Sequence, residues 1–110
     1  MGTTMEKGLI VMANIHSESL DRLFRVILKL ENTEECYRFF EDVCTIKELQ
    51  DMAQRLDAAF LLDAGLNYQE ISQSVGISTA TISRVSKCLK YGDGYRTAIA
   101  KEKENCDGNQ

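Results

Sequence analysis

At 110 residues, 44% of them apolar, the chain has the length of one domain or of a subunit completed by a partner. It has no proline, and no stretch approaches the ~20 apolar residues that cross a bilayer. A net charge of −4 argues against nucleic acid only if the charge is evenly spread, and it is not.

The run Leu9-Ile10-Val11-Met12-Ala13 is too short for a secretory apolar region, and no small-residue cleavage site follows it. The chain is therefore expected in the cytoplasm, with residues 1–16 as a flexible leader. Helical periodicity then begins. Ser17 or Ser19 can cap a first helix that carries Leu20, Leu23, Phe24, Ile27 and Leu30 on one side. Asn32-Thr33 interrupts it, and Thr33 is expected to cap a second helix with the face Cys36, Phe39, Phe40 and Val43. Thr45-x-x-Glu48 fits a capping box for a third. Its apolar positions are Leu49, Met52, Ala53, Leu56 and Phe60, and Gly65 supplies a left-handed stop.

Asn67, with Glu70 three residues on, opens a short fourth helix that ends at Gly76. Ser78 caps a fifth running to about Tyr91, and Gly92-Asp93-Gly94 breaks the chain again. A final helix runs from Tyr95 towards Glu104, leaving residues 105–110 as a frayed tail. No segment alternates like a strand, so the class is all-α with one helical domain over residues 17–104. The apolar faces are wide for so short a chain, and Phe24, Phe39, Phe40 and Phe60 widen them further. Part of that surface is expected to meet a second copy of the chain.

Cys36, Cys44, Cys88 and Cys106 show no C-x-x-C spacing, and His16 is the only histidine. That leaves no set of closely spaced zinc ligands, and no metal or cofactor is expected. In a reducing compartment three of the cysteines are expected as small buried apolar side chains and Cys106 as a tail thiol.

Gly76 interrupts the helical periodicity once, and the pattern restarts at once. Two helices that cross steeply need a tight turn, in which one residue commonly takes φ > 0, as glycine does without penalty. Ile71 and Val75 fall on the inner side of the fourth helix, and Ile82, Val85 and Leu89 on that of the fifth. Ile77 fills the elbow, and Ser72 is small enough to let the helices approach. The pattern is a helix-turn-helix over residues 68–91.

At about 100° per residue, the outward face of the fifth helix holds Ala80, Ser83, Arg84, Lys87 and Tyr91, flanked by Thr79 and Thr81. Small side chains let such a helix sit deep in a DNA major groove. Threonine and serine can bond base edges or phosphates there, and the Ala80 methyl can touch a thymine methyl. Lys87 and Lys90 fall where phosphates would lie, and Gln69 and Ser78, at the two helix starts, complete the candidate set. The charge agrees. From Gly65 to Lys101 it sums to +3, against −5 for residues 1–64 and −2 for the tail from Glu102.

The block QEISQSVGISTATISRVSKCLKYG resembles the tryptophan-repressor superfamily, and within it the YerC/YecD branch. ECYRFFEDVCTIKELQDMAQRL is similar to the helices that precede the reader in the same branch, so the resemblance spans about residues 18–100. It implies a six-helix subunit in an intertwined homodimer with two heads for double-stranded DNA. Such a protein is a transcriptional regulator, a repressor, on an inverted repeat whose half-sites lie about one helical turn apart. That docking geometry comes from the family and not from these residues.

In that family the corepressor, tryptophan, lies between core and head beside two arginines. Arg84 matches one directly, and Arg55 matches the other when the alignment shifts by one residue between Gly65 and Ile71. Thr45 matches a threonine near the same pocket. Where the family has glycine this chain has Val85, whose branched side chain fills the space an indole needs. The implied effector pocket is thus Thr45, Arg55, Arg84 and Val85, for a small molecule other than tryptophan or for none. Arg55 is at least as well accounted for as a surface arginine paired with a nearby carboxylate such as Asp51, and for Arg84 a phosphate or interface contact is preferred.

An enzyme finds no nucleophile–base pair, phosphate loop or metal spacing in the sequence. The acidic cluster Glu34, Glu35, Glu41 and Asp42 suits a solvated helix start. The remaining alternatives keep the helix-turn-helix as a protein-interaction or architectural module, or as a transposase-type DNA-binding fragment.

Overall fold

The computed structural model describes residues 16–108, and the side chains of residues 16–105. Residues 1–15, almost all of the expected leader, lie outside the described residues, as does the Cys106 side chain. The described residues form six helices: α1 (Glu18–Leu28), α2 (Thr33–Val43), α3 (Ile46–Asp63), α4 (Tyr68–Val75), α5 (Thr79–Tyr91) and α6 (Gly94–Gly108). Two compact units divide between Thr45 and Ile46.

The first unit holds α1 and α2. Of the two candidate caps for α1, Ser17 is the one used: its Oγ accepts from the Leu20 N–H at 3.1 Å. Helix α1 stops earlier than its periodicity suggests. The N–H groups of Lys29 and Leu30 close on Val26 and Ile27 carbonyls, so Leu30 lies beyond the helix. Asn32, not Thr33, caps α2. Its extended backbone lets Oδ1 accept from the Glu35 N–H at 2.9 Å, while Glu35 Oε1 accepts from the Glu31 N–H at 2.9 Å. Two adjacent cap-forming residues compete here, and Asn32 has the non-helical backbone that a cap needs. Glu35 thereby has a structural use, and Glu34 pairs with Arg38 at 3.7 Å.

Neither helix of this unit contains a buried residue. Phe24 is 53% exposed, Leu28 82% and Val43 55%, although Phe39 and Phe40 meet edge to face at 5.2 Å. Two amphipathic helices that bury nothing completely do not make a core.

The second unit does have one. Ala58 and Ala59, neighbours near the end of α3, are both fully buried and face different clusters. Ala58 packs with Ile71 of α4 and Ile82 of α5, joined by Leu61, Leu62, Leu66, Val75 and Ile77. Ala59 packs with Val85 of α5 and Ile99 of α6, joined by Phe60, Leu62, Leu89 and Tyr95. Of the apolar positions expected on α3, Met52, Ala53 and Leu56 are exposed in the single chain, and Leu49 and Phe60 are half-buried.

Local signals close the helices much as expected. Gly65 takes φ 95°, with Gly65 N–H on Leu62 O and Leu66 N–H on Leu61 O, the bond pair of a Schellman stop. Asn67 and Glu70 form a reciprocal capping box at 2.8 and 3.0 Å. Helix α6, expected over 95–104, spans Gly94–Gly108 and is tied to α3 by Lys103 Nζ on Asp63 Oδ2 at 2.7 Å. Cys36 and Cys44 are half-buried and Cys88 is exposed, which corrects the expectation of three buried cysteines. Cys88 lies beside the inward row of Ile82, Val85 and Leu89 rather than on it.

Candidate nucleic-acid interface

Helices α4 and α5 form a helix-turn-helix built on the residues singled out for it. Ile71 and Ile82 are fully buried, Val85 is 2% exposed, and Val75 and Ile77 pack against the first two. Gly76 takes φ 86° and its N–H reaches Ser72 O at 2.9 Å, ending α4 in one residue. Ser72 does more than stay small. Its Oγ donates to Ile77 O at 2.7 Å, across the turn. From α3, Gln54 Nε2 donates to Val75 O at 3.3 Å.

Ser78 caps α5, accepting from the Thr81 N–H at 3.2 Å and sharing a hydroxyl–hydroxyl bond of 3.1 Å with Thr81. Thr81 is therefore half-buried and engaged in the cap, and Ser83 is half-buried as well. Thr79, Ala80, Arg84, Lys87 and Lys90 are exposed along α5, as are Ser78 at its cap and Gln69 on α4. Helix α5 carries no acidic residue. Among the described residues Arg84 and Lys87 have no ion-pair or hydrogen-bond partner in the chain, and the Lys90 ammonium lies 5.9 Å from the centre of the Tyr91 ring. Unpaired cations beside small polar groups on one exposed helix face can approach phosphates and base edges together.

The residues expected around an effector are placed differently from one another. Thr45 is exposed at the end of the first unit, while Arg55 on α3 and Arg84 on α5 are exposed in the second. Asp51, the carboxylate offered as an example of a surface partner for Arg55, is instead held by Lys47 at 3.0 Å. Val85 is packed with Ala59 and Ile99. A groove of about 340 Å³ in the second unit is lined by Asp57, Phe60, Leu61, Ser74 and Val75, none of which belongs to the expected set. Among the described residues no three His, Cys, Asp or Glu side chains group as metal ligands, and no helix is long and apolar enough to cross a membrane.

The polar support that Ser72 and Gln54 give the turn is not legible in the sequence. A serine near a helix crossing was visible, but the direction of its hydroxyl was not.

The sequence model of the Trp repressor protein family matches residues 18–103. The Bacillus subtilis protein YerC is 52% identical over 91 residues, which cover 82% of this chain and 88% of YerC. The crystal structure of a TrpR-like protein from Eubacterium eligens superposes with a TM-score of 0.79 at 40% identity, over 83% of this chain and 95% of that one. A solved Staphylococcus aureus chain does so with a TM-score of 0.80 at 41% identity, over 89% of this chain and 96% of that one. The chain belongs to the Trp repressor family, whose members are helix-turn-helix DNA-binding regulators and not enzymes.

Proposed function

We propose that the protein is a sequence-specific transcriptional repressor that binds an inverted-repeat operator as a homodimer. The observation that carries the reading is the outer face of α5, where Thr79, Ala80, Arg84 and Lys87 are exposed on a helix without acidic residues. Thr79 and Ala80 sit at the helix start and read bases. Arg84, Lys87 and Lys90 lie further along and hold phosphates, and Gln69 on α4 and Ser78 at the cap of α5 complete the contact set. Ser83, half-buried, is confined to the edge of that face, and Thr81 acts through the cap it shares with Ser78.

Lys87→Ala tests this division of labour. It is expected to weaken selected and random duplexes alike and to make the log–log salt dependence shallower by about one, as one phosphate contact releases about one counterion. Changes at Thr79 or Ala80 are expected to alter which base pair is chosen, by about 1–3 kcal/mol at that position. Equal losses on selected and random DNA for the Thr79 and Ala80 variants would remove them from the base-reading set.

The dimer is supported by the first unit, whose two helices leave Phe24, Leu28 and Val43 uncovered in a single chain. Two heads related by a two-fold axis suit half-sites about one helical turn apart.

The effector, where one acts, is a small molecule other than tryptophan, and Arg55 and Arg84 are the residues of the second unit that would meet it. Val85 supports this reading: it stands at the position where the family resemblance implies a glycine, and its side chain is packed with Ala59 and Ile99. Inserting a ring beside a packed side chain costs ~1–3 kcal/mol, enough to abolish a modest affinity. Millimolar L-tryptophan is accordingly expected to change neither DNA affinity nor melting temperature. Titration calorimetry checks this, and saturable binding that disappears in Arg84→Ala would restore tryptophan as the effector.

A further inference from the structure

The α4–α5 angle depends on a connection of three residues, Gly76, Ile77 and Ser78. Its first residue is a glycine at φ 86°, with nothing within 4 Å of where a Cβ would stand. Glycine moves between backbone wells with little penalty, so the backbone of Gly76 does not by itself fix the turn, and the packing of Val75 and Ile77 against the Ile71–Ile82 cluster leaves the orientation of its peptide planes to polar contacts. The carbonyls on either side of Gly76, those of Val75 and Ile77, accept no backbone hydrogen bond among the described residues. Each is taken by a side chain instead: Val75 O by Gln54 Nε2 from α3, and Ile77 O by Ser72 Oγ from α4.

We propose that Ser72 and Gln54 are positioning residues that latch the turn and hold α5 at the angle from which it reads base edges. Ile77 immediately precedes Ser78, the cap of α5, so fixing its carbonyl fixes the peptide plane from which α5 departs. The Ser72 bond, at 2.7 Å, is the shorter and the local one, and Gln54 ties the same turn to α3. Neither residue reaches the outward face of α5. Base-edge contacts need a defined helix angle, whereas long lysine and arginine side chains can follow phosphates over a range of angles. Losing the latch therefore reduces selectivity more than it reduces general DNA affinity. The inference rests on the DNA-reading assignment above.

The test compares wild type, Ser72→Ala and Gln54→Ala on two probes, a duplex enriched by the wild-type protein from a random-sequence pool and a random duplex of equal length. Binding is measured at a temperature where circular dichroism shows each variant fully folded. Ser72→Ala is expected to lose roughly three- to tenfold on the enriched duplex, because fewer heads hold the competent angle. Random-duplex affinity should stay within about twofold and the salt slope should not change. Gln54→Ala shifts selectivity in the same direction by less, and decides the matter alone where Ser72→Ala does not fold. Equal losses on both probes, or unchanged selectivity in both variants, overturn the latch while leaving the regulator intact. A wild-type protein that enriches no sequence overturns the DNA-reading assignment, and the latch with it.

Discussion

Ile82→Ala is expected to destabilise the protein by about 2–5 kcal/mol, the range for truncating a large buried aliphatic side chain. Ile82 is fully buried on α5, against Ala58 of α3 and Ile71 of α4, with Val75 and Ile77 closing the cluster. Two of its three buried members are isoleucines, and Ala58 has no spare side chain to move into the space. The cavity therefore stays largely open, and its cost adds to the lost transfer free energy. The same helix carries the outward face with Thr79, Ala80, Arg84 and Lys87, so DNA binding falls with the folded fraction. Urea unfolding at fixed protein concentration measures the effect as a lower midpoint with little change in slope. A loss under about 1 kcal/mol would mean that the cluster collapses freely and does not set the position of α5.

Tenfold dilution of the protein is expected to lower its apparent stability by about 1.4 kcal/mol, the mass-action consequence of a folded state that is a dimer. The physical ground is the first unit. With no buried residue in α1 or α2, Leu28 82% exposed and Phe24 and Val43 each more than half exposed, its apolar faces stabilise little in a single chain. Met52 and Leu56 on α3 add exposed apolar surface. Surface of that kind is favourable to bury at about 25 cal/mol per Å², and a second copy is the proposed cover. Sedimentation across the same concentrations reports the state directly. A monomer whose unfolding midpoint ignores dilution would refute the homodimer and the two-headed operator together.

Much of this protein was legible from sequence wherever the decisive interaction is local. Ser78 capping α5, the Asn67–Glu70 box and the left-handed stops at Gly65 and Gly76 each involve groups within a few residues of one another. The inner row Ile71, Val75, Ile77, Ile82 and Val85 was equally readable, because short helices joined by a tight turn leave one apolar face each. From that row the outer face of α5 follows by subtraction.

Tertiary structure decided the rest. The second half of α3 reads Ala58-Ala59-Phe60-Leu61-Leu62, apolar on every side, so periodicity cannot say which face is the core. Packing chose the two alanines, since only small side chains let α4 and α5 come close at Ala58 and α5 and α6 at Ala59. Asn32 and Thr33 are both good caps, and the backbone of Asn32 settled which is used. The Ser72 hydroxyl is the clearest case. Residue type made it small, but its bond to Ile77 O exists only because Gly76 turns that carbonyl back towards α4, a direction that no spacing of letters records.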